Sequence, residues 1–208
     1  MSRPPALSTT SFAILSLLAV SPFSTYELAR QMDRSLGRFW PRAQSKLYEE
    51  PKKLVAHGLA VGEAGRTGRR PRTVYAITPA GRAALAGWLA EPGAGPQLEF
   101  EGLVKVAFAE NGSRADALDT LAAVRAWAVE RNADNLAIAR AYRTGEGDYP
   151  GRAAQSVLAG AFLTDYYAMV ARWAEWATTQ VEGWPEQPAD ARLDPAVLDE
   201  VARRADWA

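Results

Sequence analysis

A strand, a tight basic turn, a second strand and a capped helix follow one another without a gap between Gly58 and Leu89. Few folds accept that order. GLAVGEAG reads as the first strand, RTGRRPR as the turn, TVYAIT as the second strand and TPAGRAALAGWL as the helix. Thr78 is placed to cap this helix, with Pro79 at its first position. The turn holds Arg66, Arg69, Arg70 and Arg72 within seven residues. Gly68 and Pro71 interleave them and keep the segment from folding back over its own charge. A hairpin that pushes positive charge outward suits a phosphate backbone.

Upstream, the pattern is helical. STTSFAILSLLAV begins at a Ser/Thr cap and is apolar densely enough for a largely buried helix. In SPFSTYEL, Ser24 and Glu27 make a capping box, and Phe23 can staple to Leu28. That helix runs to about Leu36, where Gly37 allows a stop. A third helix is expected between Pro41 and His57, with Leu47, Leu54 and Val55 as core contacts and Gly58 ending it. Three helices followed by a two-stranded wing is the order of a winged helix-turn-helix domain.

In such a domain the start of the third helix enters the major groove. The residues there are Arg42, Gln44, Ser45 and Lys46. Arg or Lys reads guanine, Gln reads adenine, and Ser serves either base or phosphate. Tyr48 is placed for a phosphate through its hydroxyl. Thr25 and Tyr26 open the second helix, where backbone amides favour an anion. Taken singly, each is a solvated side chain; taken together at one helix end, they point to DNA. Pro51 falls inside the third helix, where it costs about 3 kcal/mol in an ordinary interior. Either the helix kinks there, turning Lys52 and Lys53 toward a phosphate, or it starts later and Pro51 lies in its first turn.

Charge separates the halves. Residues 1–90 carry 13 Lys and Arg against 5 Asp and Glu, whereas residues 91–208 carry 11 against 19. A basic half joined to an acidic half fits a nucleic-acid-binding end and an end with another task. The chain has no cysteine and a single histidine, His57, so disulfides, thiolate chemistry and Cys-type zinc sites are excluded. The apolar run Phe12 to Val20 is too short for a membrane span and lacks the flanks of a signal peptide. A cytoplasmic location without a membrane partner or cofactor is expected.

The N-terminal half resembles the PadR family of bacterial transcription regulators. The family's Tyr-Glu-Leu near the start of the second helix is matched by Tyr26, Glu27 and Leu28. Its recognition-helix tyrosine and the Gly-Leu at the helix end are matched by Tyr48 and by Gly58-Leu59. The Tyr-x-x-Thr-x-x-Gly-Arg that closes the wing is matched by Tyr75, Thr78, Gly81 and Arg82. Two positions depart: the family often has Gly where Thr25 stands and an apolar residue where Pro51 stands. SLGRFWPRAQSKLY and EFEGLVKVAFAEN resemble the subgroup with a virulence-activator-type, AphA-like C-terminal domain. The resemblance implies a dimer formed through long C-terminal helices and binding to pseudo-palindromic operators near promoters.

The C-terminal half reads as helices. EPGAGP, residues 91–96, is a Gly/Pro linker between a DNA-binding domain at 1–90 and a helical domain at 97–208. Leu98, Leu103, Val106, Ala107 and Phe108 suggest a helix from Gln97 to Glu110. Ser113 and Asp116 open a helix that persists to about Tyr142, roughly 45 Å. TGEGDYPG breaks it, and a second long helix follows from Arg152 to about Val181. Its stripe of Leu158, Phe162, Tyr166, Met169, Trp173 and Trp176 asks for a partner, and a second copy of the chain is the commonest one. Asp194-Pro195 opens a last short helix ending near Trp207. The fold class is therefore mostly α, with an N-terminal winged helix-turn-helix carrying a two-stranded β-wing and a C-terminal long-helix dimerisation domain.

Trp127, Trp173 and Trp176 are candidates to line a pocket for a small aromatic effector. Against that, aromatic residues at helical spacing are more often simply dimer core. Catalysis has no support: His57 fits a helix C-terminus through the dipole, and neither a Gly-x-Ser-x-Gly nor a Walker motif is present. The expected function is regulation of transcription by a homodimer bound to double-stranded DNA. The rival from another class is a protein-interaction module whose basic wing grips an acidic partner.

Overall fold

The computed structural model describes residues 6–41, 44–67 and 70–207, with only the backbone at 44–46, 66–67 and 70–71. The chain divides into two units, Met1–Pro96 and Gln97–Ala208. The first holds α1 (Thr9–Val20), β1 (Phe23–Ser24), α2 (Thr25–Gln31), a π-helical turn (Met32–Leu36), α3 (Gln44–Ala56), β2 (Ala60–Thr67), β3 (Arg70–Ile77) and α4 (Pro79–Ala90). Winged helix-turn-helix order is thus present, and the sheet has one strand more than expected. Phe23 and Ser24 pair with Tyr75 and Val74, so the strand order is β1-β3-β2. A two-residue strand leaves no alternation in the sequence, which is why only the hairpin was legible.

α1 is the core helix. Ile14, Leu15 and Leu18 are buried against Leu28 and Met32, Leu47 and Leu54 of α3, Tyr75 of β3 and Leu85 of α4. Each such side chain contributes about 1.5–3 kcal/mol on burial. Ser8 caps the helix with Ser11 as its box partner. The buried Ser11 hydroxyl also donates to Glu50 Oε2 of α3 at 2.5 Å. A polar atom that would be costly inside the core therefore links two helices instead.

Pro51 resolves against the late start. α3 begins at Gln44, which makes Pro51 an interior residue, and its ring is fully buried. The Leu47 carbonyl loses its helical donor, and burial of the apolar ring offsets part of that cost.

In the second unit, α5 (Glu101–Ala107) and a 3-10 turn (Ala109–Asn111) precede α6 (Arg114–Thr144). The expected helix from Gln97 is shorter at both ends. Leu98 and Phe108 are exposed, and Val106 packs inward beside the buried Ala109. α6 is capped by Ser113 with Asp116 in a full capping box, and it stops at Gly145 in the left-handed region with φ 82°. α7 (Ala153–Glu182) returns antiparallel, with contacts from Tyr142–Ser156 at one end to Arg125–Glu175 and Arg114–Glu186 toward the other. α8 (Pro195–Ala205) is capped by Asp194.

The seam between the long helices lies beside the stripe that the sequence assigned to a partner. α7 buries Leu163, Tyr167, Val170, Ala174, Ala177 and Val181, one position around from that stripe. Opposite them lie Leu121, Val124, Ala128 and Asn135 of α6. α7 is apolar around more than one face: Leu158, Phe162 and Met169 of the expected stripe stay exposed, whereas Tyr166, Trp173 and Trp176 are partly covered by the chain itself.

Candidate nucleic-acid interface

The wing is anchored by the motif residues at its root. Thr78 Oγ1 accepts from the Gly81 amide at 3.0 Å and donates to the Gly58 carbonyl at 2.7 Å. Gly58 has φ +70°, a left-handed turn that favours glycine. A Cβ at Gly81 would stand 2.1 Å from the Leu59 carbonyl oxygen, so only glycine lets α4 approach the end of α3 this closely. Tyr75 is buried under the same junction, and Arg82 reaches the Ala19 carbonyl at 3.5 Å. These residues hold the wing in place; nothing in their geometry aims them at DNA.

β2 and β3 stay paired out to Thr67↔Arg70. The basic segment is therefore mostly strand, with Arg66 in β2 and Arg70 and Arg72 in β3. Cross-strand pairing carried past Gly65↔Arg72 is what shortens the turn. Arg69 lies outside the described residues, as does Arg42. Gln44, Ser45 and Lys46 occupy the first turn of α3, as expected.

Tyr26 and Tyr48 are brought together. Both are exposed, and both line a cavity of about 370 Å³ between α2, the π turn and α3, with Arg30, Asp33 and Trp40. The π turn lines this space through Met32 and Asp33, and at its end the Gly37 amide donates to the Met32 carbonyl at 2.7 Å. Trp40 Nε1 donates to Thr10 Oγ1 at 3.3 Å, which pins the segment before α3 to α1. Thr25 is half-buried at the first position of α2.

Three expected contacts are modified. Lys52 is exposed, whereas Lys53 is largely buried and pairs with Glu50 at 3.3 Å, one helical turn away. Its ammonium is thus held within α3. Arg72 pairs with Glu27 at 3.4 Å, across 45 residues of sequence. The N-terminus of α2 already holds a carboxylate, because Glu27 Oε2 accepts from the Ser24 amide at 2.8 Å and its hydroxyl at 2.6 Å. The Ser24 hydroxyl and amide, and to a lesser degree the Arg72 charge, hold the Glu27 carboxyl below its ordinary value, against an opposing effect of burial. The capping box was legible in the sequence; the ion pair to the wing was not, since only folding brings positions 27 and 72 together.

On the second unit, Leu158, Phe162 and Met169 are exposed, with Leu158 at 72%. Tyr166, Trp173 and Trp176 belong partly to the chain's own clusters. Trp173 meets Phe100 edge-on, while Trp176 donates to Glu200 at 3.3 Å and lies under Arg204. Trp127 packs instead against Tyr166 and Tyr167. The three tryptophans therefore have different neighbours and do not share one aromatic group. Among the described residues no three His, Asp or Glu side chains group as metal ligands, and no helix is long and apolar enough to cross a membrane.

Compared with known protein families, residues 14–87 match the transcriptional regulator PadR-like family. A probable transcriptional regulator of Mycobacterium tuberculosis is 40% identical over 81 residues, 38% of this chain and 43% of that protein. The negative transcriptional regulator PadR of Bacillus subtilis is 30% identical over 110 residues, 52% of this chain and 60% of that protein. The chain thus matches about half the length of these curated relatives. Among solved structures, B. subtilis PadR in complex with operator DNA shares the fold at TM-score 0.66 and 22% identity, over 84% of this chain and 99% of that one. The same protein with p-coumaric acid gives 0.63 and 21%, over 85% and 99%. The Vibrio cholerae virulence activator AphA gives 0.62 and 22%, over 83% and 97%.

Proposed function

We propose that this chain, whose residues 14–87 match the transcriptional regulator PadR-like family, is a regulator of that kind and acts in the cytoplasm as a homodimer that binds a pseudo-palindromic operator. A linked series of contacts on one unit carries this reading. Arg72 of the wing reaches α2, and Tyr26 of α2 shares a cavity with Tyr48 of α3. Wing, positioning helix and recognition helix thereby form one surface. The first turn of α3, with Arg42 just before it and Gln44, Ser45 and Lys46 within it, reads the base edges of one half-site. Arg66, Arg69, Arg70 and Lys52 meet phosphates, with Thr25, Tyr26 and Tyr48 fixing the register.

The domain assignment follows: 1–90 binds DNA, 91–96 links, and 97–208 dimerises. Dimerisation uses the exposed outer stripe of α7, chiefly Leu158, Phe162 and Met169, with Tyr166, Trp173 and Trp176 supporting it from within. A second reading adds a small aromatic effector bound beside Trp127 or beside Trp173 and Trp176. The p-coumaric acid complex of B. subtilis PadR and the Trp127–Tyr166–Tyr167 group favour it.

The test is binding to the duplex upstream of the protein's own gene against a scrambled duplex of equal length, over a range of salt. Sequence-preferring binding with two protected inverted half-sites about one helical turn apart, or a multiple of it, is expected. Equal, salt-sensitive binding to both duplexes would leave only an electrostatic patch. In that case the protein-interaction alternative, an acidic partner on the wing, takes its place.

A further inference from the structure

We propose that Glu27 and Arg72 are a positioning pair that fixes the wing against the second helix, and that Arg72 is not a phosphate ligand. This rests on the DNA-binding reading above and refines it.

Glu27 makes two sets of bonds with its two oxygens. Oε2 takes the amide and the hydroxyl of Ser24, and Oε1 takes Arg72 Nη1 at 3.4 Å. Ser24 is itself half of β1, where it stands opposite Val74 in β3. The carboxylate therefore joins the start of α2 to β3 by a second route, two residues along the strand from the ladder contact. The Arg72 stem runs over Gly65, with Cγ 3.6 Å and Nε 3.7 Å from where a Cβ would stand, and Gly65 is its register partner in β2. One guanidinium thus touches both strands of the wing and the helix beside it.

Electrostatics argues the same way. A carboxylate at the N-terminus of a helix that meets the DNA backbone repels phosphate unless its charge is matched. Arg72 supplies that match within the protein, at a place where its side chain is 39% and that of Glu27 45% exposed. A guanidinium held by its own protein displaces no counterion from DNA, so it adds nothing to the salt dependence.

The two roles of Arg72 predict opposite results. Glu27→Gln keeps the acceptor for Ser24, since Gln serves a capping box as Glu does, and removes only the charge facing Arg72. If the pair positions the wing, Glu27→Gln and Arg72→Ala each weaken binding to the preferred duplex about two- to fivefold. The double variant, which leaves the local net charge unchanged, is then no weaker than the worse single one, and its slope of log affinity against log salt stays at the wild-type value. Arg70→Ala in the same assay lowers that slope by about one. If Arg72 is a phosphate ligand, the double variant also lowers the slope by about one, and Glu27→Gln alone tightens binding; either result overturns the proposal.

Amide exchange in the DNA-free full chain gives a readout independent of the partner. Faster exchange at Thr73–Ala76 in both single variants supports the pair, and unchanged exchange overturns it. Wild-type protein that prefers no duplex would refute the operator reading, while the exchange result would still decide on the pair.

Discussion

At the scale of single residues, the wing root shows how little room separates a tolerated change from a damaging one. Gly81→Ala drives a methyl to within 2.1 Å of the Leu59 carbonyl and 2.8 Å of Ile77 Cγ1. Backbone cannot step aside as a side chain can, so a loss of about 1–3 kcal/mol is expected in the urea midpoint. Gly58→Ala meets no atom within 4 Å, and its left-handed φ of +70° alone costs about 1–2 kcal/mol. Glu27 adds a pH dependence. Its folded carboxyl is held low by Ser24 and then by Arg72, so its stabilisation is complete above the unfolded carboxyl's range. It is lost as pH falls through the depressed folded value. Urea unfolding between about pH 5 and pH 3 should therefore fall less steeply in Glu27→Gln than in wild type. Asp116, held low by the Ser113 hydroxyl and amide, adds to the same acid limb and should persist in that variant.

At the scale of elements, the α6–α7 hairpin separates folding from association. Leu163 lies in the seam and Leu158 on the outside, although they are five residues apart on one helix. Leu163→Ala should lower stability by about 2–5 kcal/mol at every protein concentration. Leu158→Arg should leave the helical signal intact and shift the monomer–dimer equilibrium, which sedimentation velocity over a concentration series would show. Asn135 is the buried polar group of the seam, donating to the Gly160 carbonyl at 3.0 Å and to Thr164 Oγ1 at 2.8 Å. Those bonds are satisfied in only one register of the two helices. Asn135→Ala should cost about 1–3 kcal/mol through the partners left unpaired.

For the molecule as a whole, the proposed DNA-binding reading and the opposed charges of the two halves together predict that phosphate contacts lie on the first. Arg69→Ala or Arg70→Ala should then act on all duplexes alike, whereas Gln44→Ala should relax preference at particular base pairs. Competition binding with a panel of half-site variants checks this, and equal losses for both kinds of variant would sink the division of labour. If the second unit senses an aromatic compound, adding p-coumaric acid should quench tryptophan emission and lower operator affinity together. No change in either would count against a sensing role for that unit.

Local rules were enough for the parts of the fold that neighbours in sequence decide. Ser24 with Glu27, Ser113 with Asp116, Thr78 with Pro79 and the glycines at 58 and 145 all act over a few residues, and each starts or stops an element where expected. The strand–turn–strand order and the capped helices were sufficient to read a winged helix-turn-helix domain. What the tertiary structure decided are the contacts that cross the chain. A two-residue β1 exists only because β3 lies beside it. Pro51 is tolerated because the core receives its ring. Lys53 and Arg72 look like free basic side chains in sequence, and folding gives each a carboxylate. Which face of α7 turns inward depends on what α6 presents, because an apolar helix carries more than one face able to be buried. Periodicity records the presence of such faces, and only packing chooses between them.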